Sequence, residues 1–348
     1  MRLVSALSLV CLGGSALAGG IELTSAQQDF RREIGQRAQA AEKANVGALG
    51  GVENWLFLTS ELRFLVQGPF WGEVAAKVSR SRKPETADPI PAIVDFQNQL
   101  QAGGIELLIV PVPPKASVYP EKIAPAVDLA PADTAPYLRA FLNELRGLGV
   151  NVVDLSEPFL QKRESDHGPV FCKTDSHWSG FGCVLAAQAI AAQMPKNLEA
   201  VPARREFDST WKDIAIVGDL NALIGSSGQK TGPENVAMRV VAEKGSGAGV
   251  QPDPNSPVLL MGDSHTLVFH EFHAERAGLV DQLAHELGFA PDLIGTRGSG
   301  ATAVRLSLYR KSNADAGYLA KKKVIVWCFA AREFTEADQG WVRQPVAK

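Results

Sequence analysis

Two short segments carry residue types that hydrolytic or acyl-transfer chemistry needs in combination: Asp175-Ser176-His177-Trp178 and Met261-Gly262-Asp263-Ser264-His265. A serine hydroxyl is a weak nucleophile near neutral pH, so an imidazole must take its proton and a carboxylate must hold that imidazole in the right tautomer. The first segment offers the base and its orienter. If the backbone there is extended, Asp175 and His177 project to the same side, so the carboxylate grips Nδ1 and leaves Nε2 for a hydroxyl. The second segment offers Ser264 just after the apolar run Pro257-Val258-Leu259-Leu260-Met261, which reads as a strand delivering Gly-Asp-Ser into a tight turn. A hydroxyl placed there stands at the carboxyl edge of a sheet, and the Ser264 N–H can help hold an oxyanion. Each segment alone has a duller explanation: Gly-Asp-Ser makes a helix N-cap turn, and a loop histidine caps a helix or binds water.

Other residues compete for roles. In Arg297-Gly298-Ser299-Gly300 the small residues can bring backbone N–H groups close to a substrate oxygen, which makes Gly298 and Gly300 oxyanion candidates; a plain turn leading into a helix explains them equally well. Arg332, just beyond the last predicted strand, is a candidate for an anionic or hydroxylated ligand, with a surface ion pair as the alternative. His265, His270 and His273 raise the question of a metal, because His270 and His273 would share a helix face. No cysteine, and no glutamate in an H-E-x-x-H frame, completes a tetrahedral set, so no metal site and no cofactor is expected. His265 is expected beside the nucleophile, and Trp178 as a packing residue.

The elements that must position these residues follow from apolar spacing. Residues 24–48 read as a surface helix, 54–58 as a first strand after the Gly50-Gly51 turn, and 79–88 as a mobile polar loop. A helix over 91–100 ends at Gly103-Gly104 before a central strand at 105–112. Helix 134–148, strand 150–155 and helix 180–194 repeat the alternation, and strands at 258–261, 293–295 and 324–329 complete it. Residues 267–288 and 301–320 are long enough for right-handed crossovers, which predicts a three-layer α/β/α domain around a mostly parallel sheet. Residues 196–255, rich in Gly, Pro and charge, are expected to form an irregular insertion bordering the active-site cleft.

The 348 residues, 45% apolar and 21% charged, suffice for a substantial core, and a formal net charge of −3 lacks the basic excess of a nucleic-acid binder. Arg2, the apolar stretch 3–12 and Ala16-Leu17-Ala18 match a secretory leader over 1–18, leaving one domain over 19–348. An uncleaved inner-membrane anchor is the alternative. Loss of Cys11 with the leader leaves Cys172, Cys183 and Cys328; a Cys172–Cys183 bridge would brace the Asp-Ser-His-Trp loop, and three buried thiols are the other possibility.

With these residues assembled, the chain resembles the SGNH-hydrolase-like domain of the alginate O-acetyltransferase family, the AlgX and AlgJ proteins. The likeness rests on Asn54-Trp55-Leu56-Phe57, Ile109-Val110-Pro111-Val112-Pro113-Pro114-Lys115, Tyr119-Pro120, Asp175-Ser176-His177-Trp178, Gly218-Asp219-Leu220, Gly262-Asp263-Ser264 and Val326-Trp327-Cys328-Phe329. Ordinary SGNH hydrolases carry the serine block first, whereas here, as in that family, Asp and His precede Ser. The resemblance implies a catalytic triad of Asp175, His177 and Ser264 and an acetyl-serine intermediate. It also implies a periplasmic location and transfer of acetyl to a hydroxyl of an exopolysaccharide. A membrane-bound acyltransferase partner would supply the acetyl group, and no nucleic acid would be bound. Transfer and hydrolysis share nucleophile, base and oxyanion donors. A carbohydrate acetylesterase is therefore one alternative, and a non-catalytic glycan-binding subunit of an export complex is another.

Overall fold

Residues in the central strands alternate between two cores. Leu108, Val110, Val258, Leu260, Val324, Val326 and Cys328 face one side. Leu107, Ile109, Leu259, Met261, Ile325, Trp327 and Phe329 face the other. Because successive side chains of a strand point to opposite faces, a sheet apolar on both must be covered twice. The structure, a computed structural model, describes residues 20–195, 198, 204–225, 228 and 230–348. The predicted leader over 1–18 lies outside the described residues.

Nine strands are described: β1 (Ala48–Gly50), β2 (Leu56–Leu58), β3 (Glu106–Val112), β4 (Asn151–Val152), β5 (Phe207–Ile216), β6 (Glu234–Glu243), β7 (Val258–Gly262), β8 (Asp292–Gly295) and β9 (Val324–Ala330). Five form an all-parallel sheet in the order β4-β3-β9-β7-β8. On one face lie helices Ser25–Lys43, Gly180–Ala192 and Leu279–Leu287, which bring Phe30, Ile34, Ala186, Ile190 and Leu283 into the core. On the other lie helices Pro89–Ala102, Pro136–Gly147 and Thr302–Ala314, with Phe96, Phe141, Leu145 and Leu308. Each fully buried aliphatic side chain contributes about 1.5–3 kcal/mol relative to exposure. The predicted three-layer α/β/α architecture is thus what the chain adopts.

Local signals set the boundaries. Thr24 and Gln27 form a capping box at the Ser25–Lys43 helix, and Asp88 caps the Pro89–Ala102 helix by accepting from the Ile90 N–H. The loop at 79–88, expected to be mobile, is tied down by backbone bonds from Arg80 to Thr335 and from Arg82 to Asp338. The predicted strand at 54–58 is present as β2, but it pairs with β1 in a separate two-stranded sheet.

The largest departure is at 196–255. Far from being irregular, this stretch holds a hairpin of two ten-residue strands, β5 and β6, paired in register from Phe207 opposite Glu243 to Ile216 opposite Glu234. Most of β5 is exposed and mixes polar with apolar residues, so it lacks the apolar run that marks a core strand. The inner strand β6 packs Met238 against the core and ties Arg239 to Gln282 and Glu286 of the Leu279–Leu287 helix. Cys172, Cys183 and Cys328 are all buried free thiols, so the Cys172–Cys183 bridge does not form. No helix among the described residues is long and apolar enough to cross a membrane.

Candidate active site

Strand β7 ends at Gly262, where a Cβ would lie 1.7 Å from the carbonyl oxygen of Cys328 on β9; only glycine lets the two strands pass. Asp263 then caps the single turn Ser264–Thr266: its Oδ1 accepts from the His265 N–H at 2.9 Å and its Oδ2 from the Ala330 N–H at 2.7 Å. The capping role therefore falls to Asp263. Ser264, half-buried, keeps its hydroxyl for His177, whose Nε2 lies 2.7 Å from Oγ.

His177 and Asp175 are buried in the loop leading to the Gly180–Ala192 helix. Three hydrogen-bond donors and a second imidazole surround the Asp175 carboxylate: Oδ1 takes the His177 N–H at 3.0 Å and pairs with His177 Nδ1 at 2.6 Å. Its Oδ2 takes the Asp219 N–H at 2.9 Å and pairs with His273 Nε2 at 3.0 Å. Burial alone would raise the pKa of Asp175, but hydrogen bonds from His177 and His273 and from the Asp219 amide outweigh it and hold the group ionised well below the usual carboxylate range. A carboxylate, an imidazole and a hydroxyl thus form one hydrogen-bonded line, the geometry that lets an imidazole take a hydroxyl proton while a fixed anion sets its tautomer.

The loop itself is pinned from three directions. Asp219 accepts from the Ser176 N–H at 2.7 Å and the Ser176 hydroxyl at 2.6 Å. Glu234, at the start of β6, accepts from the N–H groups of Lys173 and Thr174 and the Thr174 hydroxyl at 2.9–3.0 Å. Lys115, fully buried, donates from Nζ to the carbonyls of Asp175 at 2.5 Å, Leu56 at 3.0 Å and Lys173 at 3.4 Å. Gly218 completes the fit, since a Cβ there would come within 2.0 Å of the Thr174 carbonyl oxygen. Of these pins, Lys115 and Asp219 lie in blocks that carry the family resemblance without an assigned role, and Glu234 has no local sequence signal.

The histidines do not converge on a common point. His265 pairs with Asp263 at 3.0 Å and His270 with Asp281 at 2.9 Å, while His273 pairs with Asp175. His265 is buried next to Ser264, with its ring centroid 4.8 Å from that of His177 and 5.0 Å from that of the buried Trp178; burial lowers its pKa. Ligand-type atoms of Asp175, His177 and Asp219 do lie within 4.8 Å of one another. They already serve the hydrogen bonds just described, which a cation would have to displace.

Two expectations need correction. The Gly300 N–H donates to Glu333 Oε2 at 3.2 Å and its carbonyl accepts from Trp327 Nε1 at 2.7 Å, so its backbone serves the frame and offers no oxyanion donor. Gly298 is an exposed turn residue with φ +91°. Arg332 is also turned away from ligand duty, because Glu61 holds its guanidinium at 3.1 Å. Burial would lower the Arg332 pKa, but Glu61, Asp263 and Glu333 outweigh it and raise it. An exposed cation near His177 is Arg297, stacked 4.4 Å over the ring of Phe272, which in turn lies 5.8 Å from the His177 ring.

Comparison with known proteins places this geometry. The family described as "SGNH hydrolase-like domain, acetyltransferase AlgX" matches residues 48–331. The "Probable alginate O-acetylase AlgJ" of Pseudomonas aeruginosa is 27% identical over 175 residues, 50% of this chain and 40% of that protein. Its counterpart in Pseudomonas putida is 25% identical over 316 residues, 86% of this chain and 74% of that protein. The chain thus spans two fifths to three quarters of the length of these relatives. Among solved structures, the O-acetyltransferase domain of Pseudomonas putida AlgJ superposes with a TM-score of 0.62 at 24% identity, covering 83% of this chain and 92% of that one. Pseudomonas aeruginosa AlgX superposes at 0.58 with 18% identity, covering 88% of this chain and 66% of that one, so both support the fold. A match over that span, on a sheet that sets Asp175, His177 and Ser264 in line, means that the chain belongs to the AlgX family of SGNH hydrolase-like acetyltransferase domains.

Proposed function

We propose that this chain is an exported, periplasmic O-acetyltransferase. In this reading it moves an acetyl group through Ser264 to a hydroxyl of an alginate-like polysaccharide, as one domain over 19–348 behind an N-terminal leader. The observation that carries the reading is the Asp175–His177–Ser264 line, with contacts of 2.6 and 2.7 Å, inside an acetyltransferase family.

Ser264 Oγ attacks the acetyl carbonyl of the donor as its proton passes to His177 Nε2, and the ionised Asp175 stabilises the imidazolium. The Ser264 N–H, at the free amino end of its turn, supports the oxyanion. Collapse of the tetrahedral species expels the donor's leaving group, which takes the proton from His177 and leaves acetyl-Ser264. The acceptor hydroxyl then attacks that ester, giving its proton to His177, and release of the acetylated sugar returns the proton to Ser264. A membrane-bound acyltransferase is the proposed source of the acetyl group.

Brief exposure of the purified protein to an activated acetyl ester, followed by peptide mass spectrometry, tests the first half. One acetyl group on the Ser264 peptide is expected, and none in Ser264→Ala. Adding an oligouronate acceptor tests the second half, with acetylated sugar as the expected product. Undiminished labelling of Ser264→Ala, or acetate as the sole product whatever the acceptor, would overturn the proposal.

A further inference from the structure

Asp175 is gripped by two imidazoles. His177 takes Oδ1, as the proposed mechanism requires, while His273 pairs through Nε2 with Oδ2 at 3.0 Å and has no part in that mechanism. The backbone is shaped for this second contact. His273 has φ +67°, a left-handed conformation that non-glycine residues adopt only where the surrounding structure imposes it. A closed turn holds it there, with the Phe269 N–H bonded to the Phe272 carbonyl at 2.8 Å and the Ala277 N–H to the Phe269 carbonyl at 2.9 Å. The Phe272 ring packs at 5.1 Å from the His273 ring and 5.8 Å from that of His177, so one side chain braces both.

We propose that His273 is a positioning residue for acyl transfer, a second imidazole that fixes the Asp175 carboxylate through Oδ2 and sets how strongly Oδ1 holds His177. This rests on the reading of Asp175, His177 and Ser264 as catalytic. A carboxylate turns about its Cβ–Cγ bond unless both oxygens are engaged; here Oδ1 has two donors from His177, and Oδ2 has the Asp219 N–H and His273. A donor on Oδ2 also draws charge from the carboxylate and weakens its pull on the His177 proton. The charged groups facing His273 are Asp175, whose other oxygen carries His177, then Asp219 from the 218–220 turn and Arg297 from the loop after β8. The contact with Asp175 raises the pKa of His273 and so favours its protonated form.

The sign of the effect follows. Without His273, Asp175 holds the His177 proton more tightly, so the acid limb of kcat/KM moves to higher pH. For His273→Ala we expect kcat on an activated acetyl ester to fall about tenfold, with KM nearly unchanged and the limb displaced alkaline by about half a pH unit. His273→Gln, which keeps an N–H donor, should recover most of kcat and return the limb toward that of the unaltered protein. An independent reading comes from nitrogen NMR of the unaltered protein with labelled histidine, where Nε2 of His273 should carry the proton throughout the neutral range. An unmoved limb in a folded His273→Ala, or a bare Nε2 at neutral pH, overturns the proposal; the NMR arm decides even if the alanine variant does not fold. Failure of the catalytic reading would look different, as turnover that survives in Ser264→Ala.

Discussion

A carboxylate has two oxygens, and at position 175 each answers to a different part of the chain: Oδ1 to the histidine two residues on, Oδ2 to a turn and a histidine far along the sequence. This makes the site intolerant of an amide. In Asp175→Asn the new NH2 group must face either the His177 N–H donors or the Asp219 N–H and His273, and either choice sets donor against donor. If it faces His177, the imidazole is driven to the tautomer with its proton on Nε2, which cannot accept from Ser264. We expect the rate of Ser264 acetylation to fall by about 10⁴-fold while the fold is kept, measured by single-turnover labelling alongside near-ultraviolet circular dichroism. A loss under tenfold would mean that Asp175 does not set the tautomer of His177.

At the scale of elements, the segment carrying Asp175 and His177 has almost no regular structure and borrows its rigidity. Glu234 of the hairpin takes three of its donors, and Lys115, just beyond β3, takes three of its neighbouring carbonyls. Glu234→Ala leaves those donors without their acceptor, at a cost of about 1–3 kcal/mol. Hydrogen exchange should quicken at the amides of Lys173 and Thr174 and stay unchanged in the middle of β3; equal protection at 173 and 174 in variant and parent would show that the hairpin does not hold the loop. The same elements mark how far the sequence could be read. β3, β7 and β9 are buried on both faces and so appear as unbroken apolar runs, and Asp175 with His177 is legible because two residues of extended chain fix their relation. The hairpin was hidden because most of β5 faces solvent and β6 interrupts its apolar alternation with Arg239, which is buried only by virtue of Gln282 and Glu286. Lys115, Glu234 and His273 act across 58 or more residues, and a contact at such separation leaves no periodic trace. His273 further depends on a left-handed backbone angle that its residue type does not announce.

Across the whole molecule, the carboxyl ends of three neighbouring strands converge on one edge of the sheet: β3 runs on to Lys115, β7 to Ser264, and β9 to the Ala330 N–H that holds Asp263. Just past β9, Glu333 binds the far side of that edge, accepting from the Ser299 hydroxyl and the N–H groups of Gly300 and Ala301. Burial raises its pKa to about 7 against the pull of Arg332. A carboxyl group whose pKa rises from an ordinary 4.5 to about 7 on folding binds its proton more tightly in the native state. Its contribution to stability is therefore complete below about pH 4.5 and is lost as pH rises through about 7, a change of about 3 kcal/mol on the relation of 1.36 kcal/mol per pKa unit. Asp175, whose pKa is shifted the other way, is already ionised in both states across that interval. Other groups can also contribute to a pH-dependent stability, so the informative quantity is the difference between two proteins. Glu333→Gln keeps an acceptor oxygen for Gly300 and Ala301 but cannot ionise. Its stability relative to the parent should rise between pH 5 and 8 in denaturant titrations, and parallel curves for the two proteins would mean that Glu333 does not change its charge state on folding.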